Sequence, residues 1–408
     1  MTNLSSQQAA TRQRAVYCTV VAENYLPQAL TLYSSVREVE PERLLVILVI
    51  DNDRTDLEVG REKLRVVTTA DLGLAEREVL DLATIYEVVE LATAVKPVFF
   101  KKLLEEFDQV VYLDPDMFVI APLDDLGPLI DEFGVVLTPH FLEVVPVGMA
   151  HITEVHSLTV GVHNLGFCAV GRNGVPFLDW WWSHLERECL IYPLFGIFVD
   201  QKWTDIGATL FNVHTLRHYG YNVGPHNLHE RSFEKQDENW VLTKSREPLK
   251  LMHFSGFNPK DPESISERLS VDLRVAGVVT PGLSALSRIY ADRVNEATTE
   301  LGSIPPYRFA RDSSGRWISK RTRRAYRKAL LANDKGVQLP SPFMEDDLGA
   351  FRSWHRRAFT SRAGVTLGDA ALAIKYVFPD EFAKVKHGLP RQFAWIRSRL
   401  LSATRIRR

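Results

Sequence analysis

Residues 110–120 read VVYLDPDMFVI, an apolar stretch interrupted by two carboxylates, Asp114 and Asp116, one residue apart. An uncompensated charge inside such a run is very expensive to bury, so the pair needs a partner or a route out of the apolar layer. Two carboxylates at this spacing suit a hard divalent cation, because Mg²⁺ and Mn²⁺ take oxygen ligands and share them with substrate phosphates. The plainer alternative is a strand-to-loop turn in which Asp-Pro-Asp caps backbone amides. A phosphatase-type loop with a nucleophilic first Asp is set aside. That loop usually opens its domain and continues with a hydroxyl or small residue, whereas this motif lies deep in the chain and continues Met117-Phe118.

The elements that must position the pair are legible as an alternation. AVYCTVVA (15–22), LLVILVID (44–51), QVVYLDPD (109–116), GVVLT (134–138) and GFCAV (166–170) read as short buried strands. Between them lie helical stretches, among them LPQALTLYSSVREVE, LAEREVLDLATIYEVVELATAV and KPVFFKKLLEEF. Strands alternating with helices predict a mostly parallel sheet covered on both faces. In such sheets ligands bind at the carboxyl ends of the strands, and Asp114 and Asp116 fall at that end of the third run.

Composition is that of an ordinary globular chain: 408 residues, 45% hydrophobic and 25% charged. It suffices for one large domain or two smaller ones. Residues 1–10 carry no secretory pattern and no apolar run is long enough to span a bilayer, which leads to the expectation of a cytoplasmic protein. Cys18, Cys168 and Cys189 lack metal-binding or disulfide spacing and are expected to be reduced core thiols. The net charge of −2 hides an asymmetry, since residues 311–408 hold 22 Lys and Arg against 8 Asp and Glu. With the polar, proline-containing stretch after residue 258, this predicts a flexible 1–14, a domain at 15–260 and a basic, mainly helical region at 261–408.

Five segments together resemble the GT-A fold nucleotide-sugar glycosyltransferases, most closely the retaining glycogenin-like and galactosyltransferase-like family 8. These are TVVAENYLPQALTLYSSV (19–36), AVKPVFFKKLLEEFDQVVYLDPDMFVI (94–120), NLGFCAV (164–170), VDQKWTD (199–205) and MHFSGFNPK (252–260). The resemblance covers roughly residues 15 to 260. It implies an α/β GT-A fold, Rossmann-like with helices on both faces of the sheet, followed here by the helical C-terminal region.

It also implies a set of roles. Asp114, Asp116 and His253 would hold Mn²⁺ or Mg²⁺. Tyr25 would pack on the donor base, and Lys96 and Lys260 would be point charges on the diphosphate. Gly166 and Gly256 would lie against the donor within their motifs. Two departures are visible. Pro259 stands where the family usually has its lysine, and Val20 and Val21 replace hydroxyl residues of the first strand loop. Asp200 and Gln201 would sit at the reacting sugar, with Asn164 hydrogen-bonding its hydroxyls and a nearby oxygen stabilising oxocarbenium-like charge. The plainer reading of Asp200 is the N-cap of QKWTDIGATLF.

The activity so implied is metal-dependent transfer of a sugar from a nucleoside-diphosphate donor, a UDP-sugar first among them, to a glycan, lipid-linked or small-molecule acceptor, with retention of configuration. An inverting transferase using Asp205 or Asp200 as base is one alternative, and a non-catalytic nucleotide-sugar or glycan binding module is another. His226, Asn227 and Arg231 are candidates to line an acceptor groove. The three tryptophans of FLDWWWSHLEREC are expected to pack against neighbouring segments. The basic C-terminal region suggests peripheral contact with an anionic membrane surface on its inner face, set against a solvated or packing face. RQFAWIRSRLLSATRIRR adds mildly to that expectation. No nucleic-acid motif is present.

Overall fold

The run AVYCTVV forms strand β1 (Ala15–Val21), buried almost throughout, as a strand covered on both faces must be. The computed structural model describes residues 14–378 and 380, apart from residues 270, 334, 335 and 337. Next come β2 (Leu45–Val49), β3 (Leu64–Thr68), β4 (Gln109–Leu113), β5 (Met117–Val119), β6 (Val135–Pro139) and β7 (His163–Gly171). Further along the chain are β8 (Ile191–Tyr192), β9 (Ile197–Phe198), β10 (Val213–Thr215), β11 (Phe233–Gln236), β12 (Asn239–Leu242) and β13 (Leu251–His253). Seven of these build one sheet in the order β10-β6-β7-β4-β1-β2-β3, while β8/β9 and β11/β12 are small antiparallel ladders. The pairs β1/β2, β1/β4, β2/β3 and β6/β10 are parallel, and β7 runs antiparallel to both β4 and β6. The mostly parallel α/β sheet expected from the sequence is thus present. One apolar cluster packs Val16, Cys18 and Tyr112 with Phe100 and Trp181, and a second packs Tyr17, Val111 and Leu113 with Leu26 and Leu32.

The Asp-Pro-Asp corner is where the chain changes sheets. After β4 it turns at residues 114–116 and enters β5, which pairs with β13 so that His253 faces Met117. The amide of Asp114 still bonds the Gly166 carbonyl of β7 at 2.8 Å, and the Phe254 amide bonds the Asp116 carbonyl at 2.9 Å. Two carboxylates at the carboxyl end of the central strand β4 and an imidazole on the small ladder are thereby brought to one place.

LAEREVLDLATIYEVVELATAV differs from the single helix its periodicity predicts. It forms two helices, Glu76–Ile85 and Val88–Ala94, broken at extended Tyr86 and Glu87. The break is tertiary in origin. The Tyr86 hydroxyl donates to the Leu185 carbonyl at 2.6 Å, and Arg323 donates to the carbonyls of Ala83 at 2.6 Å, Tyr86 at 2.8 Å and Phe309 at 2.5 Å. Carbonyls exposed by a helix end are being satisfied by a guanidinium from far along the chain.

That contact also revises the basic C-terminal region. Arg323 and Arg324, at the centre of KRTRRAYRKALL, are buried, and Arg324 pairs through both terminal nitrogens with buried Glu90. The densest basic run therefore gives two of its arginines to packing. The helix Pro281–Leu301 lies against Leu26–Val39, with Ala297 in the second cluster and Arg293 paired to Glu38 at 2.6 Å. RQFAWIRSRLLSATRIRR, like residues 1–13, lies outside the described residues. Among the described residues no helix is long and apolar enough to cross a membrane. The three cysteines are free and buried, as expected.

Candidate metal and donor site

Asp114, Asp116 and His253 each offer one ligand atom, and these atoms lie within 4.8 Å of one another. His253 Nε2 is 3.2 Å from Asp116 Oδ1 and 3.8 Å from Asp114 Oδ2. On the far side of the ring, His253 Nδ1 is 2.9 Å from Asn222 Oδ1. The orientation of that amide is set by its own nitrogen, which donates to Thr138 Oγ1 at 2.7 Å and to the Asn164 carbonyl at 3.0 Å. An amide oxygen can only accept, so Nδ1 carries the hydrogen and Nε2 offers its lone pair toward the two carboxylates. Two oxygens and one correctly presented imidazole nitrogen, with an outer hydrogen bond fixing the tautomer, fit a divalent cation such as Mn²⁺ or Mg²⁺.

The two acids are not equivalent. Asp116 is buried, which pushes its carboxyl upward, but His253, Arg268 and the Tyr25 hydroxyl outweigh burial and hold it below the usual carboxylate range. Asp114 is more open and accepts a hydrogen bond from the Tyr112 hydroxyl at 2.6 Å. The capping turn that would have made Asp-Pro-Asp merely structural is therefore not what the side chains do. Asp116 is held by Tyr25 and His253 from other elements, and Asp114 by Tyr112 two residues earlier on β4, with Lys96 3.8 Å away.

Lys96, at the start of the helix Lys96–Glu106, is fully enclosed. Its ammonium lies 2.9 Å from Asp200 Oδ2, 3.8 Å from Asp114 Oδ1, 3.0 Å from the Leu165 carbonyl and 4.1 Å above the Tyr112 ring centre. Burial opposes the charge, yet the two acids outweigh it and keep the ammonium above its ordinary range. Burial pushes the Asp200 carboxyl up, with Lys96 relieving only part of the rise. The approach of Lys96 to Asp200 is an ion pair too oblique for a directional hydrogen bond. Asp200 occupies the N-cap position of the helix Gln201–Leu210 without capping it through its side chain, so the plainer reading of this residue is not realised.

The remaining residues expected from the sequence divide. The Tyr25 hydroxyl donates to Asp116 Oδ2 at 3.2 Å, which aims a carboxylate of the cluster, and its ring is half-buried. Gly166 is required sterically: a Cβ there would stand 2.5 Å from His253 Cε1. Asn164 Oδ1 accepts from the Gly166 amide at 3.0 Å. Gln201 bridges the Leu165 amide and the Val160 carbonyl, at 3.3 and 2.9 Å. Gly256 adopts the left-handed region at φ 72° beside Arg268. Lys260 is exposed and makes no ion pair among the described residues.

Of the acceptor candidates, Asn227 is buried and ties the Gly224 amide to the carbonyls of His140 and Asn222. Arg231 is also buried, on Glu230 and the Tyr221 carbonyl. Both hold the 222–231 loop together. His226 stands in a group with His140 and His156, ring centres 4.8–5.7 Å apart. Trp181 is buried and donates to the Asp200 carbonyl at 3.2 Å, while Trp180 and Trp182 pack against the core, as expected of that run.

Asn222, Tyr112 and Arg268 were not foreseen as site residues. GYN at 220–222 and the Tyr of VVYLDPD carried the available signal, since a polar group next to a motif residue is often its outer support. Arg268 lies beyond the last matching segment and carried none.

No family model matches the chain. The uncharacterized protein YfnF of Bacillus subtilis (strain 168) is 28% identical over 253 residues, 60% of this chain and 82% of that protein. Among solved structures the chain is similar to galactosyltransferase LgtC in complex with donor and acceptor sugar analogues, at 17% identity, covering 71% of this chain and 97% of that one with a TM-score of 0.39. It is also similar to the bifunctional glycosyltransferase WbbM (15% identity, 66% and 52% covered, TM-score 0.38). The glycosyltransferase GlyE of Streptococcus pneumoniae TIGR4 follows at 13% identity, 71% and 64% covered, TM-score 0.38.

Proposed function

We propose that the protein is a metal-dependent glycosyltransferase that takes a nucleoside-diphosphate sugar, a UDP-sugar first among the candidates, and transfers the sugar to a glycan, lipid-linked or small-molecule acceptor. The observation that carries this reading is the convergence of Asp114, Asp116 and an Asn222-oriented His253 at the strand end where an α/β sheet binds ligands. When bound there, Mn²⁺ or Mg²⁺ would neutralise negative charge on the departing diphosphate.

The chain's own residues supply the rest. Tyr25 and Tyr112 aim the two carboxylates, and Gly166 leaves room for the imidazole. Asp200, beside Lys96 behind the cluster, places a carboxylate within the field of the reacting sugar. Asn164 and Gln201 would hold that sugar's side of the pocket. Retention is favoured because the carboxylates an inverting mechanism would need as a free base are already engaged by other groups. Asp200 is buried against Lys96, and Asp205 accepts from the Val162 amide and pairs with Lys202, both at 2.8 Å. The departing diphosphate then remains as the base on the sugar's own face.

Isothermal titration with UDP, GDP, ADP, TDP and CMP, each with and without Mn²⁺, tests the reading on wild type and Asp116→Ala. Metal-dependent binding of one nucleotide, lost in the variant, is the expected result. Binding that ignores both metal and mutation, or none at all, overturns it. Slow hydrolysis of the matching nucleotide sugar would separate an enzyme from a binder.

A further inference from the structure

We infer that Arg268 is the cation that receives the donor's diphosphate, in place of the lysine expected near residue 259 or 260; this rests on the donor reading above. The argument begins with charge. Asp114, Asp116 and Asp200 bring three negative charges and Lys96 one positive, so a divalent cation brings this set to neutrality. Lys96 is enclosed, with Asp200, Asp114, the Leu165 carbonyl and the Tyr112 ring around its ammonium. It has no open face for a phosphate. Lys260 is exposed and makes no ion pair among the described residues.

Arg268 is placed differently. Its Nη1 donates to Ser255 Oγ at 2.9 Å, two residues beyond His253. The segment that carries it is clamped to the same stretch. Ser266 Oγ donates to the Ser255 carbonyl at 2.8 Å, and the Glu267 amide donates to the Gly256 carbonyl at 2.8 Å. Gly256 makes the approach possible, since a Cβ there would sit 2.5 Å from Arg268 Cγ and 3.0 Å from Cδ. The stem therefore crosses the backbone where only glycine leaves room, and the head lies close enough for its charge to act on Asp116, Tyr25 and His226. Among the described residues Arg268 makes no ion pair. A planar guanidinium anchored at one nitrogen and otherwise unpaired, beside a neutralised metal cluster, fits two oxygens of a diphosphate.

The test is isothermal titration in Mn²⁺ of the diphosphates UDP, GDP, ADP and TDP and the corresponding monophosphates, on wild type, Arg268→Lys and Arg268→Ala. Mn²⁺ affinity alone and thermal melting are measured alongside. Losing a charge-assisted pair should weaken the diphosphate that wild type binds by about 10- to 100-fold in Arg268→Ala, with Arg268→Lys intermediate. Mn²⁺ affinity should not weaken, since a positive charge facing Asp116 is removed, and melting temperature and monophosphate affinity should change little. Gly256→Ala, which displaces the arginine stem, should weaken the same diphosphate. Equal diphosphate affinity in wild type and Arg268→Ala overturns the role of Arg268 and leaves the donor reading standing. A wild type that binds none of the diphosphates overturns both.

Discussion

Asn222 faces His253 across 2.9 Å, its carbonyl oxygen against Nδ1. The amide is itself anchored by Thr138 and the Asn164 carbonyl, so a residue outside the ligand set decides which imidazole nitrogen meets the carboxylates. Asn222→Ala should reduce Mn²⁺ affinity by about 10- to 100-fold, the range seen when outer partners of metal-bound histidines are removed. Manganese titration followed by electron paramagnetic resonance reads this directly. Unchanged affinity would mean that ring packing alone fixes the tautomer.

Gly166 meets the other side of the same imidazole. Adding one methyl places a carbon 2.5 Å from Cε1 and 2.9 Å from the Met117 methyl, both far inside contact distance. Overpacking of this kind usually costs about 1–3 kcal/mol. Gly166→Ala should therefore remain folded at room temperature and lose metal binding. A variant with wild-type Mn²⁺ affinity would show that the ring can move without penalty.

Lys96 and Asp200 form a buried pair at 2.9 Å, and removing one partner of such a pair typically costs about 3–5 kcal/mol. Lys96→Met leaves Asp200 without its compensating charge. Lys96→Met combined with Asp200→Asn should recover much of the loss, measured by urea denaturation as a coupling between the two substitutions. Strict additivity of the two single effects would sink this prediction.

Acid should destabilise the protein through its histidines. Burial holds the His140 imidazole down to about 3, and His156 and His226 are lowered in the same direction, also through burial. The folded state keeps these rings neutral while the unfolded chain protonates them near pH 6.5, so their stabilisation is complete above that value and is lost as pH falls toward 3. For His140 alone the loss between pH 6.5 and 5 is about 2 kcal/mol. Urea midpoints recorded across this range should fall, and His140→Gln should flatten the slope by one proton. An unaltered slope in that variant would assign the proton uptake to other groups.

Much of the architecture was readable because it is local. Buried strands announce themselves as short Val- and Ile-rich runs, and all five that were expected overlap β1, β2, β4, β6 and β7, although 44–51 runs two residues past β2 and 109–116 three past β4. Of the main sheet, β3 and β10 were missed, and the strands of the small ladders were not read as strands. β3 alternates, with Leu64 and Val66 buried but Arg65, Val67 and Thr68 only half-buried, and β10 hides within a helix-to-loop segment. The break at Tyr86 was invisible because the groups that stabilise it, Arg323 and the Leu185 carbonyl, lie far away in sequence. The same reason separates the site residues. Asp114, Asp116 and His253 could be named from motif types, whereas Asn222 and Arg268 acquire their places only through contacts with elements that no local pattern specifies. In the basic C-terminal run, charge density likewise said nothing about which arginines turn inward.

Arg323 reaches back 240 residues to the Ala83 carbonyl. A ribosome adding ~5–20 residues per second would need on the order of 10–50 s to supply the arginine after Ala83 has been made. Until then the helix end before Tyr86 has none of its guanidinium bonds, and Glu90 waits for Arg324 in the same way. The amino-terminal half of the sheet is thus synthesised well before its fold can close. In a cell this protein should depend on protection of a partly formed nascent chain more than its sheet alone would suggest.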